Sequence, residues 1–84
     1  MKTRELGYPE IGAIVRFHRK KAGLTQNALA ELAGVGKTVV FDIEKNKESV
    51  QLDSLRKILR ALNIKVVFES PLMDELRKAG DEKG

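Results

Sequence analysis

The sequence contains no cysteine and no tryptophan, and it has a single histidine, His18. Without cysteine, neither disulfides nor a thiolate metal site can stabilise the chain. One histidine alone also excludes the usual zinc-binding constellations. We therefore expect a protein without a metal or cofactor.

Long apolar runs are missing as well. No stretch approaches the roughly 20 apolar residues of a membrane span, and the first ten residues, MKTRELGYPE, are too polar for a signal peptide. The sequence also offers no nucleophile with a neighbouring base, and GVG at 34 to 36 suits a helix turn rather than a phosphate-binding loop. We expect a soluble, cytoplasmic protein that is not an enzyme.

The chain is short and slightly basic. Its 84 residues suit one small domain, which buries only roughly 60% of its unfolded surface and is marginal unless something is added. Dimerisation is the simplest addition. Sixteen basic and twelve acidic residues give a net charge of +4, which favours contact with polyanions only where the charges cluster.

The stretch from 26 to 45, QNALAELAGVGKTVVFDIEK, has the pattern of two short helices joined at a tight turn. Ala30 is the small residue that two crossing helices need, and Gly34 suits the left-handed conformation at the end of the first helix. Five further residues supply the apolar wedge that holds the second helix at its angle: Leu29, Ala33, Val35, Val40 and Ile43. The pattern predicts a helix-turn-helix.

The segments before this stretch are predicted to be an arm and one helix. Residues 1 to 8 show no periodicity and form a flexible arm, from which Lys2 and Arg4 are within reach of DNA. A first helix extends from Pro9 to Gly23. Its buried stripe follows the i, i+3, i+4, i+7 pattern and consists of Ile11, Ile14, Val15 and His18. His18 is therefore expected to be a core residue rather than a base.

The second and third helices are predicted from capping and from helical spacing. Thr25 is a suitable cap for a helix over 25 to 33, with Leu29, Leu32 and Ala33 facing inward. The run from 38 to 41 is β-branched and aromatic and by itself prefers a strand. A helix over 36 to 45 nevertheless gathers the apolar residues on one side. Its outward side then consists of Lys37, Thr38, Phe41, Asp42 and Lys45.

Glu44 lies at the border of the inward side of this third helix, where an unpaired carboxylate is costly. Arg19 of the first helix is its expected partner, and that ion pair would hold the first helix against the third. The remaining basic residues flank the helix pair, where phosphate contact is the better interpretation of such clusters. The expected phosphate contacts are Thr25, Arg16, Lys20, Lys45 and Lys47.

The rest of the chain reads as a fourth helix, a strand and a tail. Asn46 is expected to end the third helix and Asn63 the fourth, whose apolar face consists of Leu52, Leu55, Ile58, Leu59 and Leu62. Residues 64 to 69, IKVVFE, alternate as a strand that has no partner within the chain. We expect it to pair with the same segment of a second copy, through Ile64, Val66, Val67 and Phe68. Residues 70 to 84 are expected to form a short helix and a disordered tail.

Residues 16 to 47, RFHRKKAGLTQNALAELAGVGKTVVFDIEKNK, resemble the lambda-repressor-like (Cro/CI, XRE) helix-turn-helix family. The Gly-Leu-Thr-Gln start of the second helix, at 23 to 26, and the Ile-Glu end of the third, at 43 and 44, carry this resemblance, which covers roughly residues 9 to 63. A strand directly after the fourth helix is similar to the HipB-like antitoxins. The implied fold is mainly α: a compact four-helix domain, 9 to 63, with a C-terminal strand that pairs across a homodimer.

The resemblance implies which residues face DNA. These are Gln26, Lys37, Thr38, Phe41 and Asp42, with Arg19 and Glu44 as an internal salt bridge. We expect Lys37 to donate to guanine, Thr38 and Phe41 to meet a thymine methyl group, and Asp42 to accept from cytosine or to orient Lys45 or Lys37. The sequence departs from the family pattern at His18, Gly36, Phe41 and Asp42, which changes the expected sequence preference but not the docking mode.

The implied function is a sequence-specific repressor that binds a palindromic operator as a dimer, in the bacterial cytoplasm on the nucleoid. In the HipB-like subgroup, such a protein is also the antitoxin of a kinase-like HipA toxin and represses its own promoter. Two alternatives stay open: a stand-alone or phage-type repressor, or mainly a toxin-binding module that uses the Phe17 surface, the strand or the tail. Membrane binding is not expected, since the core takes the apolar face of the first helix.

Overall fold

The structure is a computed structural model that describes residues 10 to 83. The expected N-terminal arm, with Lys2 and Arg4, lies outside the described residues. Between residues 10 and 83 the chain contains five helices: α1 (Ile11–Lys21), α2 (Gln26–Ala33), α3 (Lys37–Glu44), α4 (Leu52–Ala61) and α5 (Met73–Lys83).

The first four helices enclose one small core. α2 packs against both α3 and α4, and α3 also packs against α1. The buried apolar side chains come from all four helices and are Val15, Leu29, Ala30, Val40, Ile43, Ile58 and Leu59. The mainly helical fold and the apolar set of the helix pair are therefore confirmed.

α1 is rotated relative to the stripe that its sequence predicts. Its buried positions are Gly12, Val15 and Arg19, whereas Ile11 is 48% exposed and Ile14 is half-buried. Gly12 explains the rotation, because a Cβ atom there would lie only 2.6 Å from the carbonyl oxygen of Ile43. The helix therefore turns its glycine toward the end of α3, which apolar periodicity does not reveal.

His18 lies on the exposed side of α1, so its assignment to the core was wrong. Its Nδ1 lies 2.7 Å from the carbonyl oxygen of Ile14, one helical turn earlier. Its ring packs edge-on against that of Phe17, with 5.7 Å between the centroids. The rotation that brings Gly12 inward carries His18 out to solvent.

α2 begins and ends as its sequence predicts. The hydroxyl of Thr25 accepts a hydrogen bond from the backbone N–H of Ala28 at 3.0 Å, which caps the first turn. Gly34 has a φ of 75°, and both its N–H and that of Val35 donate to the carbonyl of Ala30. Leu32, however, is 61% exposed, because α2 turns Ala30 rather than Leu32 to the crossing.

α3 and α4 both end at an asparagine in the left-handed conformation. Asn46 and Asn63 each have a φ of 60°, as expected for residues that stop a helix. α3 is helical despite its β-branched run, because Val40 and Ile43 find the core on one side. In α4 the expected inward position of Leu52 was wrong: this first residue of the helix is 69% exposed.

The segment 64 to 69 forms no strand in the single chain, for which residues 10 to 83 provide no partner strand. Ile64 packs against the core, and its N–H donates to the carbonyl of Leu59 at 2.8 Å. Beyond it Val66, Val67 and Phe68 are 57%, 72% and 71% exposed. The pairing of this segment across a dimer stays a proposal.

α5 extends to Lys83 and so takes up most of the segment 70 to 84, for which a short helix and a disordered tail were expected. It packs closely against none of the other four helices. Leu72 and Leu76 are 66% and 62% exposed. None of the helices between residues 10 and 83 is long and apolar enough to cross a membrane.

Candidate nucleic-acid interface

The candidate interface is the outward face of α3, and the packing of α2 and α1 fixes its orientation. Ala30 is 2% exposed at the crossing of α2 and α3, where a larger side chain would separate the two helices. Val40 and Ile43 bury the opposite side of α3 in the core. Ala33 at the end of α2 and Val35 in the turn after it also pack against that core. The angle of α3 is therefore set by buried contacts and not by its exposed residues.

A buried ion pair holds α1, α2 and α3 together. Arg19 Nε donates to Glu44 Oε2 at 2.5 Å and its Nη2 to Oε1 at 3.1 Å, a two-pronged contact between α1 and the last residue of α3. The Arg19 Nη1 also donates to the carbonyl of Leu24 at 2.8 Å, in the loop before α2. The side chains of Arg19 and Glu44 are only 11% and 5% exposed. The expected ion pair is therefore present and largely excluded from solvent.

The ionisation of this pair follows from its hydrogen bonds. Burial alone would raise the pKa of Glu44, but hydrogen bonds from Arg19 and Gln26, with the positive charges of Arg19 and Arg16, hold it below its usual value. The hydrogen bonds to Glu44 raise the pKa of Arg19 despite its desolvation. Both groups are therefore charged at neutral pH, with their charges matched inside the protein.

The outward face of α3 and the residue that follows it present four side chains to solvent. Lys37 and Thr38 are exposed in the first turn, Phe41 is 48% exposed in the second, and Lys45 follows at the end. Lys37, Phe41 and Lys45 are spaced by four residues and therefore share one stripe. The Nζ of Lys45 lies 4.9 Å from the centre of the Phe41 ring.

Asp42 differs from its expected role of orienting Lys45 or Lys37. It is half-buried, and its Oδ2 lies 3.7 Å from the Nζ of Lys47 in the loop after α3. The backbone N–H of Lys47 also donates to the carbonyl of Asp42 at 3.0 Å, which closes the end of the helix. Asp42 thus fixes the loop after α3, and Lys45 is directed to Phe41 instead.

Gln26 is also part of the internal network. Its Nε2 donates to Glu44 Oε1 at 3.1 Å, and its side chain is half-buried at the start of α2. The amide hydrogen in this bond is directed into the protein. The side-chain oxygen and the second amide hydrogen of Gln26 are left for an external ligand.

The expected phosphate contacts are exposed on three parts of the chain. Arg16 and Lys20 lie on α1, Thr25 at the start of α2, and Lys45 and Lys47 at the end of α3. The hydroxyl of Thr25 is used for capping, while its position leaves the N-terminal end of α2 open to solvent. Among the side chains that the structure describes, from residue 10 to residue 80, no group of three or more acidic or histidine residues is arranged to hold a metal ion.

Asn46 has a structural role beyond ending α3. Its Oδ1 accepts a hydrogen bond from the N–H of Gly12 at 2.8 Å, and its Nδ2 donates to Glu10 at 2.9 Å. The N-terminal turn of α1 has no side-chain cap from its own residue Glu10. Asn46 therefore caps α1 from the end of α3. The presence of a left-handed asparagine was predictable, but not this distant partner.

Comparison with known proteins places these features in a family. A family model described as helix-turn-helix matches residues 15 to 68. An uncharacterised HTH-type transcriptional regulator of Sinorhizobium fredii, y4mF, is 36% identical over 62 residues, which are 74% of this chain and 82% of that protein. Another from Methanothermobacter thermautotrophicus is 37% identical over 62 residues, with coverage of 74% and 90%.

Solved structures share the fold. A chain of a HipA-HipB-O2-O3 complex superposes with a TM-score of 0.66 at 23% identity, over 76% of this chain and 93% of that one. A protein described as MDT Protein gives the same values. The fold and the exposed third helix define a helix-turn-helix domain. The chain belongs to the XRE-type helix-turn-helix family, as its resemblance implied, and HipB shares its fold.

Proposed function

We propose that the protein is a transcriptional repressor that binds specific duplex DNA as a dimer, with α3 of each subunit in the major groove. One observation carries the proposal. The buried side of α3 is locked to α1 and α2, whereas its outward face carries Lys37, Thr38 and Phe41 in the open. The regulators from Sinorhizobium and Methanothermobacter support the same class.

The exposed residues of α3 have matching partners on base edges. Lys37 donates to the O6 or N7 atoms of guanine, and the methyl group of Thr38 meets the methyl group of thymine. Asp42 is half-buried beside Lys47, and it accepts from cytosine N4 at the edge of the contact. Gln26, at the start of α2, contributes a further base contact. Each good contact discriminates against the wrong base by about 1–3 kcal/mol.

The phosphate contacts flank this reading face. Arg16 and Lys20 on α1, the open end of α2 at Thr25, and Lys47 after α3 contact the backbone on both sides of the groove. These contacts carry no sequence information, but they make binding depend on salt. Lys45, the fifth residue expected there, already lies against the Phe41 ring.

A dimer follows from the size of the reading helix and from the apolar residues after α4. α3 has only 8 residues, and one such helix covers too few base pairs for a specific site. Val66, Val67 and Phe68 are exposed and unpaired in a single chain. Pairing of 64 to 69 with the same segment of a second copy would satisfy its backbone groups and bring its apolar side chains against those of the partner strand, and the operator is then an inverted repeat.

The finer proposal is that this repressor is the antitoxin of a HipA-like toxin and represses its own promoter. The support is the shared fold with a chain of the HipA-HipB-O2-O3 complex and the exposed apolar residues that the DNA contacts do not use, Phe17 among them. Co-purification with the product of a neighbouring kinase-like reading frame tests it. A chain that represses its promoter but binds no such product is a stand-alone repressor.

The DNA proposal is tested by selecting duplexes from a random pool and measuring their binding by fluorescence anisotropy. Lys37→Ala combined with Thr38→Ala should reduce affinity for the selected duplex at least tenfold while the protein stays folded. Lys57→Ala removes an exposed positive charge from α4 and is the control. Equal losses in both variants would mean that α3 contributes charge alone and does not read sequence.

The dimer proposal has its own measurement. Deletion of residues 64 to 84 leaves the core of α1 to α4 without Ile64, and sedimentation at equal concentration should then show monomers. The double change Val66→Glu and Phe68→Glu retains the chain length and should have the same effect. A variant that stays dimeric would refute the proposed pairing.

A further inference from the structure

Phe41 is the unusual residue of the reading face. An aromatic ring that is 48% exposed has no hydrogen bond to offer, so it gains free energy on binding only by covering an apolar surface. Its neighbours on the stripe, Lys37 and Lys45, lie one turn to either side. The ring therefore stands in the middle of a polar face.

Lys45 restricts the orientation of the Phe41 ring. Lys45 extends back along the helix and places its ammonium group 4.9 Å from the ring centre, within the range of about 6 Å in which a cation is attracted to an aromatic face. Asp42 does not compete for this ammonium group, since its carboxylate lies beside Lys47. Lys45 thus lies over the ring, and the side chain of Phe41 remains 48% exposed.

The major groove offers few apolar groups. Base edges there present donors and acceptors, and the C5-methyl group of thymine is the apolar exception. We infer that Phe41 reads the methyl group of one thymine in each half-site and that Lys45 is a positioning residue that holds the ring for this contact. The inference rests on the proposed function and adds a specific base preference to it.

The test replaces thymine with deoxyuridine, which lacks only the methyl group, at one position at a time in the selected duplex. At the thymine that Phe41 reads, the change should weaken binding about 4-fold, the value of burying one methylene-sized group, and about 15-fold when it is made in both half-sites. In Phe41→Ala this response should disappear, whereas the response at a thymine that Thr38 contacts should persist. Phe17→Ala removes the exposed aromatic ring of α1, which Lys21 covers in the same way, and should leave the preference intact.

The role of Lys45 is separated from phosphate contact by two substitutions. Lys45→Met should weaken the preference for thymine, and Lys45→Arg, which retains the attraction to the ring, should restore it. A phosphate contact would behave differently: Lys45→Met would lower the salt dependence and leave the thymine preference unchanged. That result would overturn the positioning role.

Failure of this inference differs from failure of the proposed function. If wild-type protein selects a duplex but no deoxyuridine response disappears in Phe41→Ala, Phe41 does not read a methyl group. If it retains no duplex even at 50 mM salt, the DNA proposal itself fails.

Discussion

The ion pair between Arg19 and Glu44 allows one prediction to be worked out in detail. Glu44→Gln keeps the shape of the side chain and removes its charge, which leaves the guanidinium of Arg19 nearly buried without a counter-charge. Loss of one partner of a buried pair costs about 3–5 kcal/mol. At about 4–8 °C per kcal/mol for a domain of this size, the melting temperature should fall by on the order of 12 °C or more.

The pair is also the reason why acid should selectively weaken the wild-type protein. The pKa of Glu44 is lower in the folded state than in the unfolded chain, where a glutamate has a pKa of about 4.3. The stabilisation is therefore complete above that unfolded value and disappears as the pH falls through the lower folded pKa. The difference in melting temperature between wild type and Glu44→Gln should be largest at pH 7 and should decrease below about pH 4.

Thermal unfolding followed by circular dichroism between pH 3 and pH 7 measures this gap. Asp74→Asn is the control, because it breaks an exposed pair with Arg77 on α5 and should change stability by less than about 0.5 kcal/mol. Replacing both Arg19 and Glu44 with methionine should recover most of the loss. A gap that is small at pH 7, or one that does not change with pH, would refute the account of this pair.

The remaining predictions concern packing and use the same thermal assay. Gly12→Ala should destabilise by about 1–3 kcal/mol, because the new Cβ would lie 2.6 Å from the carbonyl oxygen of Ile43. Gly80→Ala, whose Cβ meets nothing within 4 Å, should cause no loss, and equal effects of the two would contradict the close approach of α1 and α3. Leu29→Ala should cost about 2–5 kcal/mol, whereas Leu32→Ala, at 61% exposure, should stay within about 0.5 kcal/mol.

Local chemistry made much of the helix pair predictable. Thr25, Gly34 and Asn46 each require a particular backbone position, and the structure has each of them there. The partner of Glu44 was also predictable, because a carboxylate at the border of an apolar face needs a cation and Arg19 lies on a helix that must cover it. In these cases the residue type alone specifies the geometry.

The orientation of α1 was not predictable from its apolar residues. Periodicity favoured Ile11 and His18, but the close approach of backbone at Gly12 decided the rotation, and a glycine leaves no trace in a hydrophobic pattern. The contacts of the lysines at the end of α3 were not predictable either, because a long lysine side chain can reach several neighbouring residues. The pairing of Lys45 with Phe41, and of Lys47 with Asp42, depends on distances that only the folded chain provides.

The central claim is that α3 of a dimer reads duplex DNA, and the salt dependence of binding to a selected duplex tests it most directly. A dimer that contacts about 6–10 phosphates should lose roughly three to five decades of affinity between 50 and 200 mM salt. A scrambled duplex of the same length should bind more weakly at every salt concentration. Affinity that does not change with salt, or that is equal for the scrambled duplex, would contradict the account.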